Sequence, residues 1–273
     1  MSISAYPATP PSNTDGVEFV ELSHPWGHGV PNWPYFEDVK IERIHYMAKS
    51  GVLTQRITTV MHSGTHIDAP AHVIEGTPFL DEIPLDRFFG TGVVVSIPKK
   101  KWEVITAKDL ENAYPKIQRG DIVMINTGWH HHYGDNSQYY AYSPGLYKEA
   151  GEWLAEKGVK MVGVDQQALD HPLGTAIGRH GVGPLLPRVC EEYERETGRS
   201  VEQDFPYWEP AHRALLEAGI PGIENVGGDL DKVTGKRVTI AAFPWRWVKG
   251  DGCIVRVVAM QDKSQSFRIE SGL

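Results

Sequence analysis

His62-Ser63-Gly64-Thr65-His66-Ile67-Asp68-Ala69-Pro70-Ala71-His72 brings three imidazoles and a carboxylate into eleven positions. A helix does not suit them. At ~100° per residue His62 and His66 would share a face, but Asp68 would sit about 200° round from His66. Gly64 and Pro70 also disfavour a helix interior. In an extended path the four positions, all even-numbered, can face one way. The expectation is therefore a strand running into a tight, glycine-containing turn. Imidazole with carboxylate suits a borderline divalent cation such as Zn(II), Mn(II) or Fe(II), and three protein ligands leave a position for water. A structural zinc site more often uses thiolates, whereas this chain has two cysteines, Cys190 and Cys253, far apart in sequence. The pattern points to catalysis.

The same residues resemble the signature of the metal-dependent cyclase family, which includes bacterial kynurenine formamidase and isatin hydrolase. By position, the resemblance implies that His62, His66 and Asp68 are metal ligands and that His72 is a general acid/base standing beside the metal. Further on, His212 near a helix start and Glu224 twelve residues later resemble the family's downstream metal-binding pair. With Asp68 they would hold a second ion, Asp68 and Glu224 reaching both. Some family members use a single ion, so the implied cofactor is a divalent metal, Zn(II) or Mn(II), one or two per chain. The loop from Ser23 to Pro34 resembles the family's N-terminal segment, whose tryptophan packs on the substrate, and this points to Trp33. The implied fold is the family's swivelling β/β/α architecture, an α/β fold with a mixed sheet and flanking helices. The likeness covers most of residues 17–262 and is interrupted at about 169–207, which reads as an insertion.

Composition sets the outer bounds. The chain has 273 residues, 41% of them hydrophobic, with no apolar run long enough to span a bilayer and no charged-then-apolar leader. A soluble, cytoplasmic protein with no membrane partner is expected. No linker forces a split, so residues 17–273 read as a single catalytic domain behind a flexible arm at 1–16. The net charge is −8 and the only basic run is Lys99-Lys100-Lys101, which argues against a nucleic-acid partner. The loose arm and exposed aromatic loops, taken with the resemblance, imply a homodimer or homotetramer.

Along the chain, Val17–Leu22 reads as a strand. The Pro- and Gly-rich stretch after it is forced into a loop that presents His24, Trp26, His28 and Trp33; the two histidines read as structural or solvated. Val52–Met61 is β-rich and is expected to deliver the motif at its C-terminal end. Gly92–Ile97, Asp121–Asn126 and Lys160–Asp165 are apolar runs expected as buried strands, with Asp165 a candidate site-lining group. Thr106 with Asp109 forms an N-terminal helix signal, and Ser143-Pro144 is expected to open a helix reaching Lys157. Strand, helix and strand in succession imply parallel crossovers. His130-His131-His132 cannot all reach one ion and reads as a polar loop. The inserted stretch with its acidic run from Glu191 to Glu196 reads either as a lid or oligomer contact or as a solvated helix face, and Phe205, Tyr207 and Trp208 are candidate pocket walls. Glu209-Pro210 opens a helix that Gly219 closes, and Ile220–Val226 is a strand. Arg237–Pro244 and Cys253–Ala259 are expected to pair across the Lys249–Gly252 turn.

The chemistry expected is metal-dependent hydrolysis of a C–N bond in a cyclic amide or an N-formyl arylamine, of the non-peptide amidohydrolase type. Metal-bound hydroxide would be the nucleophile, with His72 shuttling the proton to the leaving group. Trp33, Phe36 and Trp208 favour a flat or aromatic substrate. One alternative is a lactone hydrolase on the same site; another is a catalytically inactive member that binds metal or ligand.

Overall fold

The strands are β1 (Val17–Glu21), β2 (Lys40–His45), β3 (Thr54–Thr58), β4 (His66–Asp68), β5 (Phe89–Ser96), β6 (Val104–Ile105), β7 (Ile122–Asn126), β8 (Gly145–Leu146), β9 (Met161–Val164), β10 (Gly222–Glu224), β11 (Lys236–Ala241), β12 (Gly252–Ile254) and β13 (Val258–Asp262). This computed structural model describes residues 16–265 and 269, so the expected arm at 1–16 lies outside the described residues except for Gly16. Nine strands form one mixed sheet in the order β1-β13-β11-β5-β7-β9-β10-β4-β12.

The centre of the sheet follows from its apolar runs. β5, β7, β9 and β10 pair in parallel, and strands buried on both faces need no polar alternation. Their side chains divide by the two-residue period of a strand. Val94, Ile122, Met124 and Met161 enter one core. Val93, Val95, Val123, Ile125, Val162 and Val164 enter another, against Leu110, Leu154 and Leu215 of the helices Ala107–Asn112, Lys148–Lys157 and Pro210–Glu217.

The first core also holds Val20 and Ala259 from one end of the strand order and Ile67 and Cys253 from the other. Residues from both ends can share a core only if the sheet curls. A bridge between Ser23 and Val226 ties the two ends together.

The helix at Ala107 starts as the sequence predicts. Asp109 N–H donates to Thr106 Oγ1 (3.1 Å) and Thr106 N–H to Asp109 Oδ2 (2.8 Å). The helix expected from Ser143-Pro144 begins only at Lys148. Gly145-Leu146 is held extended instead, because Leu146 N–H donates to Leu169 O (3.0 Å) and Leu146 O accepts from His171 N–H (2.7 Å).

Two strand expectations are corrected. Val52–Met61 does not carry the motif: β3 pairs only with β2 in a separate, solvent-exposed ribbon, and the motif supplies its own strand, β4. Cys253–Ala259 splits in two. β12 pairs with β4 and β13 with β11, because the chain between them crosses the curl, where Val257 N–H donates to Ser23 Oγ (2.7 Å).

Residues 169–207 fold into short helical pieces. Leu173, Ile177, Val189, Tyr193 and Phe205 pack there with Trp102, Trp129 and Tyr139 in a third apolar cluster. The acidic run lies on the helix Pro187–Thr197, with Tyr193 turned inward and its glutamates exposed or half-exposed. Among the described residues, no helix is long and apolar enough to cross a membrane.

Candidate metal centre

β4 lies between β10 and β12, antiparallel to both. Alternation along it sends Ile67 into the core and leaves His66 and Asp68 on the opposite face. Register then supplies the neighbours. Glu224 stands opposite His66, while glycines, Gly222 and Gly252, stand on either side of Asp68. A Cβ on Gly252 would lie 2.4 Å from His62 Cε1, so the bare backbone makes room for that imidazole.

The turn before β4 is bolted down by Asn225, which is fully buried with φ 57°. Asn tolerates this left-handed conformation better than most residues. Its Nδ2 donates to Gly64 O (2.9 Å), its Oδ1 accepts from Tyr139 (2.7 Å), and its carbonyl accepts from Thr65 Oγ1 (2.6 Å).

The histidines and acids named from sequence lie close together here, with their donor atoms grouped as His66/Asp68/Glu224 and His62/Asp68/His72 rather than as the expected His62/His66/Asp68 and Asp68/His212/Glu224. His66 Nδ1 donates to Gly64 O (2.8 Å), which leaves Nε2 as the lone-pair nitrogen. That nitrogen faces Asp68 Oδ1 at 3.5 Å and Glu224 Oε2 at 3.4 Å. These are long for hydrogen bonds. They match the edge of a tetrahedron of donors around an ion with bonds near 2.0–2.1 Å, which is about 3.3 Å. His212 Nδ1 is held by Asp170 Oδ2 (2.7 Å), and its Nε2 faces Glu224 Oε1 (3.0 Å) and Asp68 Oδ2 (3.8 Å). His62 is engaged by carboxylates at both nitrogens, Asp68 at 2.7 Å and Asp251 at 2.9 Å. His72 stacks on His62 with ring centroids 4.0 Å apart, its Nδ1 3.8 Å from Asp251 Oδ2. Two donor sets, His66/Asp68/Glu224 and His62/Asp68/His72, each have all ligand atoms within 4.8 Å of one another. Asp68 belongs to both.

The charges are balanced within the cluster. Burial opposes protonation of His62, but Asp68 and Asp251 outweigh it and raise its pKa to about 10. Burial also opposes ionisation of Asp68, and the facing His66 and His62 overcome it, holding the carboxyl well below the usual range. Glu224 is lowered in the same way: burial and the charge of Asp68 push it up, and His212 and His66 more than offset them. His212 is raised well above its ordinary value despite burial, through Asp170 and Glu224. A cation bound at His62 or His212 must displace the proton that the facing carboxylates hold there. The donor set fits a borderline divalent ion.

The cavity over the cluster, about 90 Å³, is lined by Trp33, Phe36 and Gln167 among others, with His62, His66, His72, His212 and Glu224 in its wall. Trp208 is not there. It lies in a separate surface groove beside Arg213, because the left-handed Glu209 (φ 47°) turns the chain so that Glu209 lines the cavity instead. Asp165 also stays away. It is fully buried, accepting from Thr127 Oγ1 (2.6 Å) and contacting His130 Nδ1 (3.0 Å). Sequence reasoning missed Asp251, Asp170 and Asn225, and left open which of Gln166 and Gln167 faces inward. Gln167 Oε1 has no hydrogen-bond partner among the described residues.

Residues 20–171 match the family described as "Putative cyclase", and the chain belongs to that family. It is similar to a kynurenine formamidase of Bacillus cereus, 28% identical over 243 residues that cover 88% of this chain and 96% of that protein. Isatin hydrolase A from Labrenzia aggregata, bound to benzyl benzoate, has the same fold with a TM-score of 0.72 at 24% identity, over 92% of this chain and 96% of that one. An isatin hydrolase bound to the product analogue thioisatinate gives a TM-score of 0.73 at 23% identity, over 92% and 94%.

Proposed function

We propose that this chain is a metal-dependent amidohydrolase that cleaves the C–N bond of a cyclic amide or an N-formyl arylamine. The observation that carries the reading is that Asp68 belongs to two groups of possible donors, one with His66 and Glu224 and one with His62 and His72, while His212 Nε2 faces both Glu224 and Asp68. His62, His66 and Asp68 would hold one divalent ion, Zn(II) or Mn(II). His212 and Glu224 with Asp68 would hold a second. Bound there, the metal supplies Lewis acidity, polarising a carbonyl and lowering the pKa of coordinated water.

The chain's own residues do the rest. His72 takes a proton and delivers it to the departing nitrogen, which an amide requires because an unprotonated amine leaves poorly. Asp251, within ion-pair distance, orients the His72 ring through Nδ1. Trp33 and Phe36 offer apolar walls for a flat ring, and the unpartnered Gln167 carbonyl can accept the N–H of an amide. The names of the relatives, kynurenine formamidase and isatin hydrolase, favour the same substrate class. Residues 17–273 act as one catalytic domain, with 169–207 inserted beside the site.

The test is turnover of an N-formyl arylamine, isatin and a lactone by the chelated chain, before and after Zn(II) or Mn(II) is restored. Amide cleavage that vanishes on chelation and returns with metal is expected. A preference for the lactone would overturn the C–N assignment, and no turnover of any of the three with metal present would leave a binding protein. His72→Ala should lower kcat about 10²–10⁴-fold with metal content unchanged. Full activity in that variant removes the acid/base role.

A further inference from the structure

The run His130-His131-His132 has a use that the metal centre above does not absorb. Its three rings do not converge, as the sequence requires, but two of them do. His132 packs against Trp129, ring centroids 4.6 Å apart, while His130 and His131 lie 4.0 Å apart and both reach Asp231. His130 Nε2 is 3.4 Å and His131 Nε2 3.3 Å from the same oxygen, Asp231 Oδ2. All three ligand atoms fall within 4.8 Å of one another. As at His66, these separations are those of donors sharing an ion, about 3.3 Å for bonds near 2.0 Å.

The supporting contacts repeat the arrangement seen at His212. There a buried aspartate, Asp170, holds Nδ1 so that Nε2 faces the ligands. Here Asp165 holds His130 Nδ1 at 3.0 Å, and Asp165 is itself fixed by Thr127 N–H and Oγ1. A carboxylate behind an imidazole sets its tautomer and raises its basicity towards a metal. The third ligand is held too: Asn126 Nδ2 donates to Asp231 Oδ1 at 2.9 Å, leaving Oδ2 for the histidines. His130 is buried while His131 and Asp231 are exposed, so solvent can reach the point where the three meet and complete the coordination.

We infer that His130, His131 and Asp231 form a second, separate binding site for a borderline divalent transition-metal cation, of the Zn(II), Ni(II) or Cu(II) class. Two imidazoles beside one carboxylate favour this class over the oxygen-preferring Mg(II) and Ca(II). The bound cation joins the turn after β7 to the helix Leu230–Val233, elements about a hundred positions apart in sequence, and so clamps the chain end of β7 to the segment that feeds β11.

The experiment is Zn(II) uptake by metal-stripped full-length protein, read by equilibrium dialysis with elemental analysis, for wild type, His131→Ala and Asp231→Asn. His131 is exposed, and Asn at 231 keeps an oxygen for Asn126, so both variants should fold, which circular dichroism checks. Each variant should bind one Zn(II) per chain fewer than wild type at micromolar free metal. Crystals soaked in Zn(II) should show an anomalous peak among the three side chains. Equal uptake by all three proteins, or a peak that forms only at millimolar Zn(II), overturns the site and leaves an imidazolium–carboxylate contact. The uptake difference is read whether or not the motif site turns over substrate.

Discussion

Gly252 shows how much of a site can depend on an absent side chain. His62 fits between Asp68 and Asp251 only because no Cβ stands at 252, where one would come within 2.4 Å of the ring. Gly252→Ala is expected to push His62 off both carboxylates and weaken Zn(II) binding about 10–100-fold, the range seen when a ligand loses its orienting contacts. A competition titration against a chromophoric chelator measures it, and unchanged affinity would show that the ring can move without consequence. Proton release belongs to the same residue. With its pKa raised to about 10, His62 stabilises the metal-free fold fully below about pH 6.5, and that contribution is lost as pH rises towards 10. Metal binding must therefore expel a proton near neutrality, and calorimetry in buffers of differing ionisation enthalpy should show a buffer-dependent heat. At this scale the sequence was readable where donors are close together, at His62, His66, Asp68 and His72. Asp251 was not, since 189 positions separate it from His62 and an acid in a glycine-rich turn looks like any surface turn.

Helix Pro210–Glu217 enters the site through Asp170. That carboxylate accepts Ala211 N–H and His212 N–H, each at 2.8 Å, as well as meeting His212 Nδ1 at 2.7 Å. One residue both caps the helix and aims the ligand. Asp170→Asn keeps an oxygen for the backbone but loses the charge, so it should lower stability by about 1 kcal/mol while cutting metal affinity about 10–100-fold. Chemical unfolding and a Zn(II) titration separate the two effects, and equal affinity with reduced stability would confine Asp170 to capping.

The adjacent turn carries a different sensitivity. His171 Nε2 donates to Trp102 O (3.0 Å), its Nδ1 accepts from Leu173 N–H (3.2 Å), and its ring stacks on Phe205 at 4.1 Å. Burial drives its pKa down to about 3. The folded form stays neutral while the unfolded form takes up a proton below about pH 6.5, so its contribution is complete above that pH and is lost progressively down towards pH 3. His171→Asn should be less stable at pH 7 but flatten the acid limb by up to one proton, about 1.4 kcal/mol per pH unit. Urea titrations at pH 7, 5.5 and 4.5 test it, and parallel slopes would rule it out. Elements were read well where local signals sufficed, as with the Thr106 cap and the buried valine strands. They were misread where distant pairing won, as when Leu146 is held extended by Leu169 and His171.

The ribbon of β2 and β3 stands apart from the sheet, with Ile57 on β3 and Leu53 in the connection each 53% exposed and Met47, also in the connection, 64%. A two-stranded ribbon is marginal alone in water, and apolar side chains clustered on one invite a partner surface. A second copy of the chain covering this ribbon is expected. Light scattering should give a multiple of 30.4 kDa, and Ile57→Asp should shift the mass downward. A monomeric wild type would sink the idea. The curl of the sheet was not legible beforehand, because nothing local in Cys253–Ala259 says that its two halves belong to opposite ends of the strand order.

The chamber above Asp68 is about 90 Å³, against roughly 300–1,000 Å³ for pockets that enclose drug-sized molecules. A bicyclic guest would more than fill this space, so seating one against Trp33 and Phe36 is expected to require those walls to give way. Admission then requires the aromatic loop to swing outward first, so association should be slow, saturable with concentration and retarded by viscous solvent. If the proposed hydrolysis follows such an opening, the gatekeeping motion rather than bond cleavage is expected to set the pace for good substrates.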